Sequence, residues 1–149
     1  MDIVTTLQQV DLFRELNDTQ LRTIGNIAQQ EIFNMGEVIF KQGDVAEKIY
    51  IISNGQVEVI IEHADGVRGS VLFLGAGQLI GEMTLVDAGK RSATVVAVDE
   101  ATHLYSISHE AFTALCQSNT DIGYIIMRNI AQDMSFKLRH HDLDAKDSA

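Results

Sequence analysis

Between Gly81 and Val95 the chain sets a glycine-opened turn carrying Glu82 a short loop ahead of Arg91-Ser92-Ala93, which leads into an apolar, β-type run. A guanidinium presents a rigid fork of donors that matches two phosphate oxygens. A short helix after Gly81 would aim its unsatisfied first amides, and the positive end of its dipole, at the same anion. A carboxylate at Glu82 repels phosphate but accepts a hydrogen bond from a ribose hydroxyl, the group that separates ribonucleotides from deoxynucleotides. One carboxylate, one guanidinium and small residues that free backbone N–H groups together suit a compact ribose phosphate.

Other chemistry-bearing patterns fall away on spacing. Gly75-Ala76-Gly77-Gln78-Leu79-Ile80-Gly81 has its third glycine one residue late for a dinucleotide fingerprint, and the segment after it is too short for a crossover helix. Gly89-Lys90 lacks the upstream glycine of a phosphate-binding P-loop, because Thr84 stands there. His63 and His109 fall at element ends, His103 lies in a β run, and the adjacent His140 and His141 point to different helix faces. None forms a metal constellation with the single cysteine, Cys116, whose apolar helical neighbours suit a small buried hydrophobe. With no nucleophile–base pair either, an enzyme is not expected.

The elements that must position this segment can be read from hydrophobic period. The first thirty residues read as helical: Leu12, Phe13 and Leu16 make one apolar turn, and Asn17-Asp18 caps a helix bearing Leu21, Ile24 and Ile27. From 30 to 108 the pattern changes to short β-branched runs at 31–34, 38–41, 49–53, 56–61, 70–74, 94–98 and 102–107, parted by glycine turns such as Ser53-Asn54-Gly55 and Ala64-Asp65-Gly66. Such spacing signals an antiparallel sandwich or barrel. Helical period returns from Ser108 or His109, and Asn119-Thr120-Asp121 caps a longer helix expected to end near residue 142, with a frayed tail over 143–149. That helix carries Met127, Ile130, Met134 and Leu138 on one line and Ile122, Ile125 and Ile126 on another, so one stripe can pack on the β-core and the other on a second copy of the chain.

Composition narrows the partners. The chain has 149 residues, 46% hydrophobic content and a formal net charge of −10, from 11 basic against 21 acidic side chains. That size and hydrophobicity supply one well-filled domain. Phosphate neutralisation by Lys and Arg drives nucleic-acid binding, so the charge argues against direct contact with DNA or RNA. No apolar run is long enough to span a bilayer, no signal-peptide pattern opens the chain, and one cysteine permits no internal disulfide; cytoplasmic residence is the expectation.

The order of helices, β-run, cassette, strands and closing helices resembles the cyclic-nucleotide-binding domain family, which includes the sensory half of the catabolite activator protein and the regulatory subunits of cyclic-AMP-dependent kinase. Two motifs carry the likeness over roughly residues 10–142. The first runs Gly36-x-x-Ile39-Phe40-x-x-Gly43-Asp44-x-Ala46-x-x-Ile49-Tyr50-Ile51-Ile52-x-x-Gly55-x-Val57-x-Val59; the second is Gly81-Glu82-x-x-Leu85 followed by Arg91-Ser92-Ala93-x-Val95, similar to the family's phosphate-binding cassette. The fold implied is an antiparallel, jelly-roll-like β-roll with N-terminal helices and two C-terminal helices. Singly, Arg91 and Glu82 read as ordinary surface residues; their joint fit to the cassette makes them site residues.

The resemblance implies cAMP, or else cGMP, as ligand, with no other cofactor. It puts Arg91 on the exocyclic phosphate oxygens, aided by the Ser92 hydroxyl and Ala93 amide, and Glu82 on the ribose 2′-hydroxyl, with Gly81 and Met83 closing around the sugar. Val59, Val71, Leu74 and Ile80 would wall the base, and Lys137, His141 or Asp142 of the last helix would contact it. Thr84 stands where family members commonly have a small residue, and Asp87 adds negative charge near the phosphate. The transcription factors of the family continue into a helix-turn-helix domain. A free-standing sensor is therefore expected, acting through its closing helix on itself or on an effector protein still to be identified, with homodimerisation through that helix. Two alternatives stand beside it: an interaction domain of the same fold that no longer binds nucleotide, and a haem-based gas sensor, for which no persuasive ligand pair is present.

Overall fold

The structure, a computed structural model, describes the backbone of residues 2–148 and the side chains of residues 2–140. Helices α1 (Ile3–Gln8) and α2 (Asp18–Gly25) flank a 3-10 turn at Asp11–Phe13. Next come eight strands: β1 (Gln29–Asn34), β2 (Val38–Phe40), β3 (Lys48–Asn54), β4 (Val57–Glu62), β5 (Arg68–Leu74), β6 (Leu79–Ile80), β7 (Thr94–Ala97) and β8 (Ala101–Ser108). A 3-10 turn at Glu82–Leu85 sits between β6 and β7, and α3 (His109–Ser118) and α4 (Thr120–Ser148) close the fold. The strands form two antiparallel sheets, ordered β1-β8-β3-β6 and β2-β7-β4-β5. This is the expected β-roll with flanking helices.

The apolar run Ile49–Ile52 in β3 explains how the layers stack. Alternate side chains leave opposite faces of a strand. Ile49 and Ile51 enter a core shared with Leu7, Phe13, Ile24, Phe112, Ile122 and Ile126, whereas Tyr50 and Ile52 enter a second core between the sheets with Ile39, Val57, Ile80, Val95 and Leu104. A strand buried on both sides has no polar alternation to show, which is why its sequence is continuously apolar.

Local chemistry sets the element ends. Asn17 and Gln20 make a capping box at α2, Ser108 Oγ accepts from the Ala111 amide at 3.0 Å, and Asn119 Oδ1 accepts from the Ile122 amide at 3.3 Å. The helical backbone of α4 runs to Ser148, past residue 142 where its end was expected. Neither glycine nor proline falls between residues 143 and 148, so nothing there breaks the propagating helix. The two-residue strand β6 also went unforeseen, because only its pairing with Tyr50 and Ile51 makes it a strand.

The two lines of apolar residues on α4 regroup. Ile122, Ile126 and Ile130 are buried, while Met127 and Leu138 are exposed alongside Tyr124. Asn129 is fully buried and its Nδ2 donates to the carbonyls of Leu12 and Arg14. Arg14 in turn reaches Asp133 Oδ1 at 3.1 Å, and Arg128 pairs with Glu15. These contacts moor the middle of α4 to the N-terminal helical layer.

Candidate ligand-binding site

The segment expected to bind a ligand folds as a hooked loop. Gly81 adopts φ 84°, a left-handed turn that launches the 3-10 turn at Glu82–Leu85. Downstream, the Arg91 amide donates to Asp44 O at 2.7 Å, the Gly43 amide to Arg91 O at 2.9 Å, and the Ala46 amide to Gly89 O at 2.7 Å. The glycine turn between β2 and β3 therefore holds the arginine's backbone, which gives the first motif a role in shaping the second.

Arg91 is only 8% exposed. Its Nη2 donates to the Lys48 carbonyl at 2.5 Å, and its guanidinium lies over the Phe40 ring at 3.9 Å, with Tyr50 at 5.9 Å on the same aromatic pair. Its Nε has no hydrogen-bond partner, and no carboxylate among the described residues forms an ion pair with it. Burial pushes the guanidinium's pKa below its ordinary value, opposed by Tyr50 and Asp44. It remains a cation at neutral pH. Burial likewise raises the Tyr50 hydroxyl, with Glu31 adding to the rise and Arg91 opposing it.

A buried cation with an orphaned donor is costly unless an anion completes it. Arg91 opens onto a cavity of about 490 Å³. Gly81, Glu82, Met83, Ser92 and Ala93 line it with Arg91, as do Val59, Leu74 and Ile80. Polar groups gather at the cassette end: Glu82, Thr84, Asp87, Lys90, Arg91 and Ser92. Aliphatic side chains line the cavity as well: Val59, Leu72, Leu74, Leu79 and Ile80.

Two expected positions differ, and two lie outside the described side chains. Val71 is 51% exposed and lies outside the cavity lining; Leu72 lines it instead. The pairing of β4 with β5 sets Val57 opposite Leu74 and Val59 opposite Leu72, so Leu72 and Leu74 share the inner face, whereas the register shifts to Ile60 opposite Ser70 and passes over Val71. Lys137 is not among the cavity-lining residues; its Nζ lies 3.2 Å from Glu82 Oε1. The side chains of His141 and Asp142 lie outside the described residues.

Sequence reasoning missed the aromatic support. Phe40 and Tyr50 stand in the first motif, where no site role was read for them. An aromatic pair on adjacent elements beside a buried arginine would have been the signal. The Lys48 carbonyl had none, since it is backbone.

A family model for the cyclic nucleotide-binding domain matches residues 30–119, from β1 through the end of α3. The chain belongs to the cyclic nucleotide-binding domain family. This is a family of regulatory domains. The cyclic AMP receptor protein of Thermus thermophilus is 32% identical over 133 residues, covering 89% of this chain and 59% of that protein. The crystal structure of the Thermus thermophilus catabolite activator protein superposes with a TM-score of 0.79 at 31% identity, covering 91% of this chain and 62% of that one. The regulatory domain of Toxoplasma gondii PKA, crystallised with cAMP, gives a TM-score of 0.69 at 28% identity over 75% of this chain and 42% of that one. The chain thus spans less than two-thirds of each of these proteins. No helix among the described residues is long and apolar enough to cross a membrane.

Proposed function

We propose that this cyclic nucleotide-binding domain is a cytoplasmic sensor that takes cAMP, in preference to cGMP, into the cavity beside Arg91. The observation that carries the reading is the buried guanidinium: 8% exposed, in no ion pair among the described residues and with Nε unpartnered, it lines a cavity large enough for one nucleotide. The names of the Thermus receptor and the cAMP-bound Toxoplasma domain favour cAMP. In this reading Arg91, the Ser92 hydroxyl and the Ala93 amide hold the cyclic phosphate. Glu82 accepts from the ribose 2′-hydroxyl, with the backbone of Gly81 and Met83 about the sugar. The base packs on Val59, Leu72, Leu74 and Ile80. Occupancy is relayed through α4, whose exposed Tyr124, Met127 and Leu138 offer a face to a second copy of the chain.

Removing the guanidinium deprives a desolvated anion of a charge-assisted partner, which costs about 2–3 kcal/mol, or a factor of thirty or more in affinity. Isothermal titration of Arg91→Ala against the parent chain tests this. Equal affinity for cAMP in both proteins removes Arg91 from the site, and a parent chain that ignores millimolar cAMP and cGMP returns the domain to the interaction-module reading.

A further inference from the structure

Asp87 is the charged cavity residue that the proposed function leaves without a task. It lines the cavity with Glu82, Lys90 and Arg91. It is exposed and forms no ion pair among the described residues. The backbone nonetheless fixes where its charge stands. The Asp87 amide donates to Met83 O at 2.9 Å, and the Gly89 amide donates to Asp87 O at 3.0 Å. Gly89 O in turn accepts from the Ala46 amide at 2.7 Å, and Lys90 forms an antiparallel bridge with Val45. The loop from Asp87 to Lys90 is thus pinned at one end by the 3-10 turn and at the other by the turn between β2 and β3.

A cationic pocket has a weakness as a receptor for a cyclic phosphodiester. The diester carries one negative charge. The linear 5′-monophosphate formed by its hydrolysis is close to a dianion at neutral pH, because the second ionisation of a phosphomonoester lies at about 6. Coulomb attraction grows with ligand charge, so Arg91 and Lys90 by themselves favour the linear product over the cyclic ligand. Repulsion grows in the same way. A fixed carboxylate at the cavity penalises the monoanion once and the dianion twice. Solvent screens an exposed carboxylate, so the penalty is a small factor, roughly threefold for each ligand charge.

We propose that Asp87 is a specificity-determining residue that lowers affinity for linear nucleoside 5′-monophosphates more than for the cyclic ligand. This rests on the reading of the cavity as the cAMP site. The carboxylate gives up some affinity for the cyclic diester and in exchange turns away its more highly charged hydrolysis product.

The test uses the full chain as three proteins: parent, Asp87→Asn, which removes the charge at nearly constant size, and Asp87→Glu, which keeps it. Affinities for cAMP and 5′-AMP are measured by titration on either side of the phosphomonoester ionisation, at about pH 5 and about pH 7.5. At the higher pH, D87N is expected to bind cAMP roughly threefold and 5′-AMP roughly tenfold tighter than the parent. At the lower pH 5′-AMP is a monoanion, and both gains should be roughly threefold. D87E should keep the parent's preference between the two ligands. Because cAMP holds one charge throughout, its titration controls for protonation of Glu82, of Asp87 itself, and of His109, whose Nδ1 lies against the Thr84 carbonyl. A merely structural Asp87 would move both ligands by one factor at both pH values, and that result overturns the proposal while the site stands. A D87E protein that loses discrimination as D87N does overturns it as well. A parent chain that binds no cyclic nucleotide removes the site and the proposal together.

Discussion

At the scale of single residues, the contact between Gly81 and Arg91 shows how a backbone conformation can place a buried charge. Gly81 sits at φ 84°, and a Cβ added there would lie 2.5 Å from Arg91 Nη1. The glycine therefore serves twice, permitting the left-handed turn and leaving room for the guanidinium. Gly81→Ala is expected to lower cAMP affinity at least tenfold, because a displaced fork no longer meets two phosphate oxygens together. Gly66→Ala supplies the control. Gly66 has the same φ of 84° with nothing within 4 Å of an added Cβ, so it bears the backbone strain without touching the cavity. Titration of both variants, with melting curves alongside, separates the effects; equal affinity in the two would detach Gly81 from the site. Glycine at 81 and arginine at 91 were both legible in the sequence. Their approach was not, because a loop intervenes and only the turn held by Asp44 and Gly43 brings the side chain back.

At the scale of elements, the cassette is tied to both closing helices. Its Thr84 carbonyl lies 2.5 Å from His109 Nδ1 at the start of α3, and its Glu82 carboxylate holds Lys137 of α4. A shift of the 3-10 turn at Glu82–Leu85 thus has a direct path to each helix. The two helices must also keep their mutual angle, and Gly123 is where they come closest to conflict. A Cβ there would stand 3.0 Å from Cys116 Cβ and 3.3 Å from its Cα. Alanine ordinarily stabilises a helix relative to glycine by about 1 kcal/mol. Here the obstacle is the backbone of α3, which cannot rotate aside, so Gly123→Ala is expected to destabilise by about 1–2 kcal/mol in urea denaturation. A gain in stability would show that α3 and α4 have slack. Burial raises the Cys116 thiol pKa above its ordinary value, in keeping with a packing role between these helices. The caps of α2, α3 and α4 were readable from Asn17, Ser108 and Asn119, since a cap is a local hydrogen bond. The division of α4 into buried and exposed lines was not, because it depends on where the N-terminal layer lies.

At the scale of the whole molecule, net charge and the exposed face of α4 are the features that bear on association. With a charge of −10 the domain repels phosphate at long range, so in the proposed function ligand capture relies on the donors inside the cavity. The exposed residues Tyr124, Met127, Ala131 and Leu138 recur at three, four and seven positions, the spacing of a two-helix seam. Sedimentation velocity is therefore expected to show a concentration-dependent dimer, moved toward monomer by Leu138→Lys, which puts a charge into the seam. A parent chain that stays monomeric at high micromolar concentration would remove α4 as a contact between copies.

Alternation, glycine turns and capping residues were enough to define an antiparallel sandwich or barrel between helical segments, while the likeness of the cassette to a known family implied the β-roll and made Glu82 and Arg91 site residues. Those signals are local, carried by hydrogen bonds and side-chain periods within a few residues. Three-dimensional packing decided which neighbour faces the cavity, Leu72 rather than Val71, since strand register is a relation between distant segments. It also decided that Phe40, Tyr50 and the Lys48 carbonyl support the guanidinium, and that Lys137 meets Glu82. No linear spacing encodes such encounters, because each depends on two elements folding back on the same point.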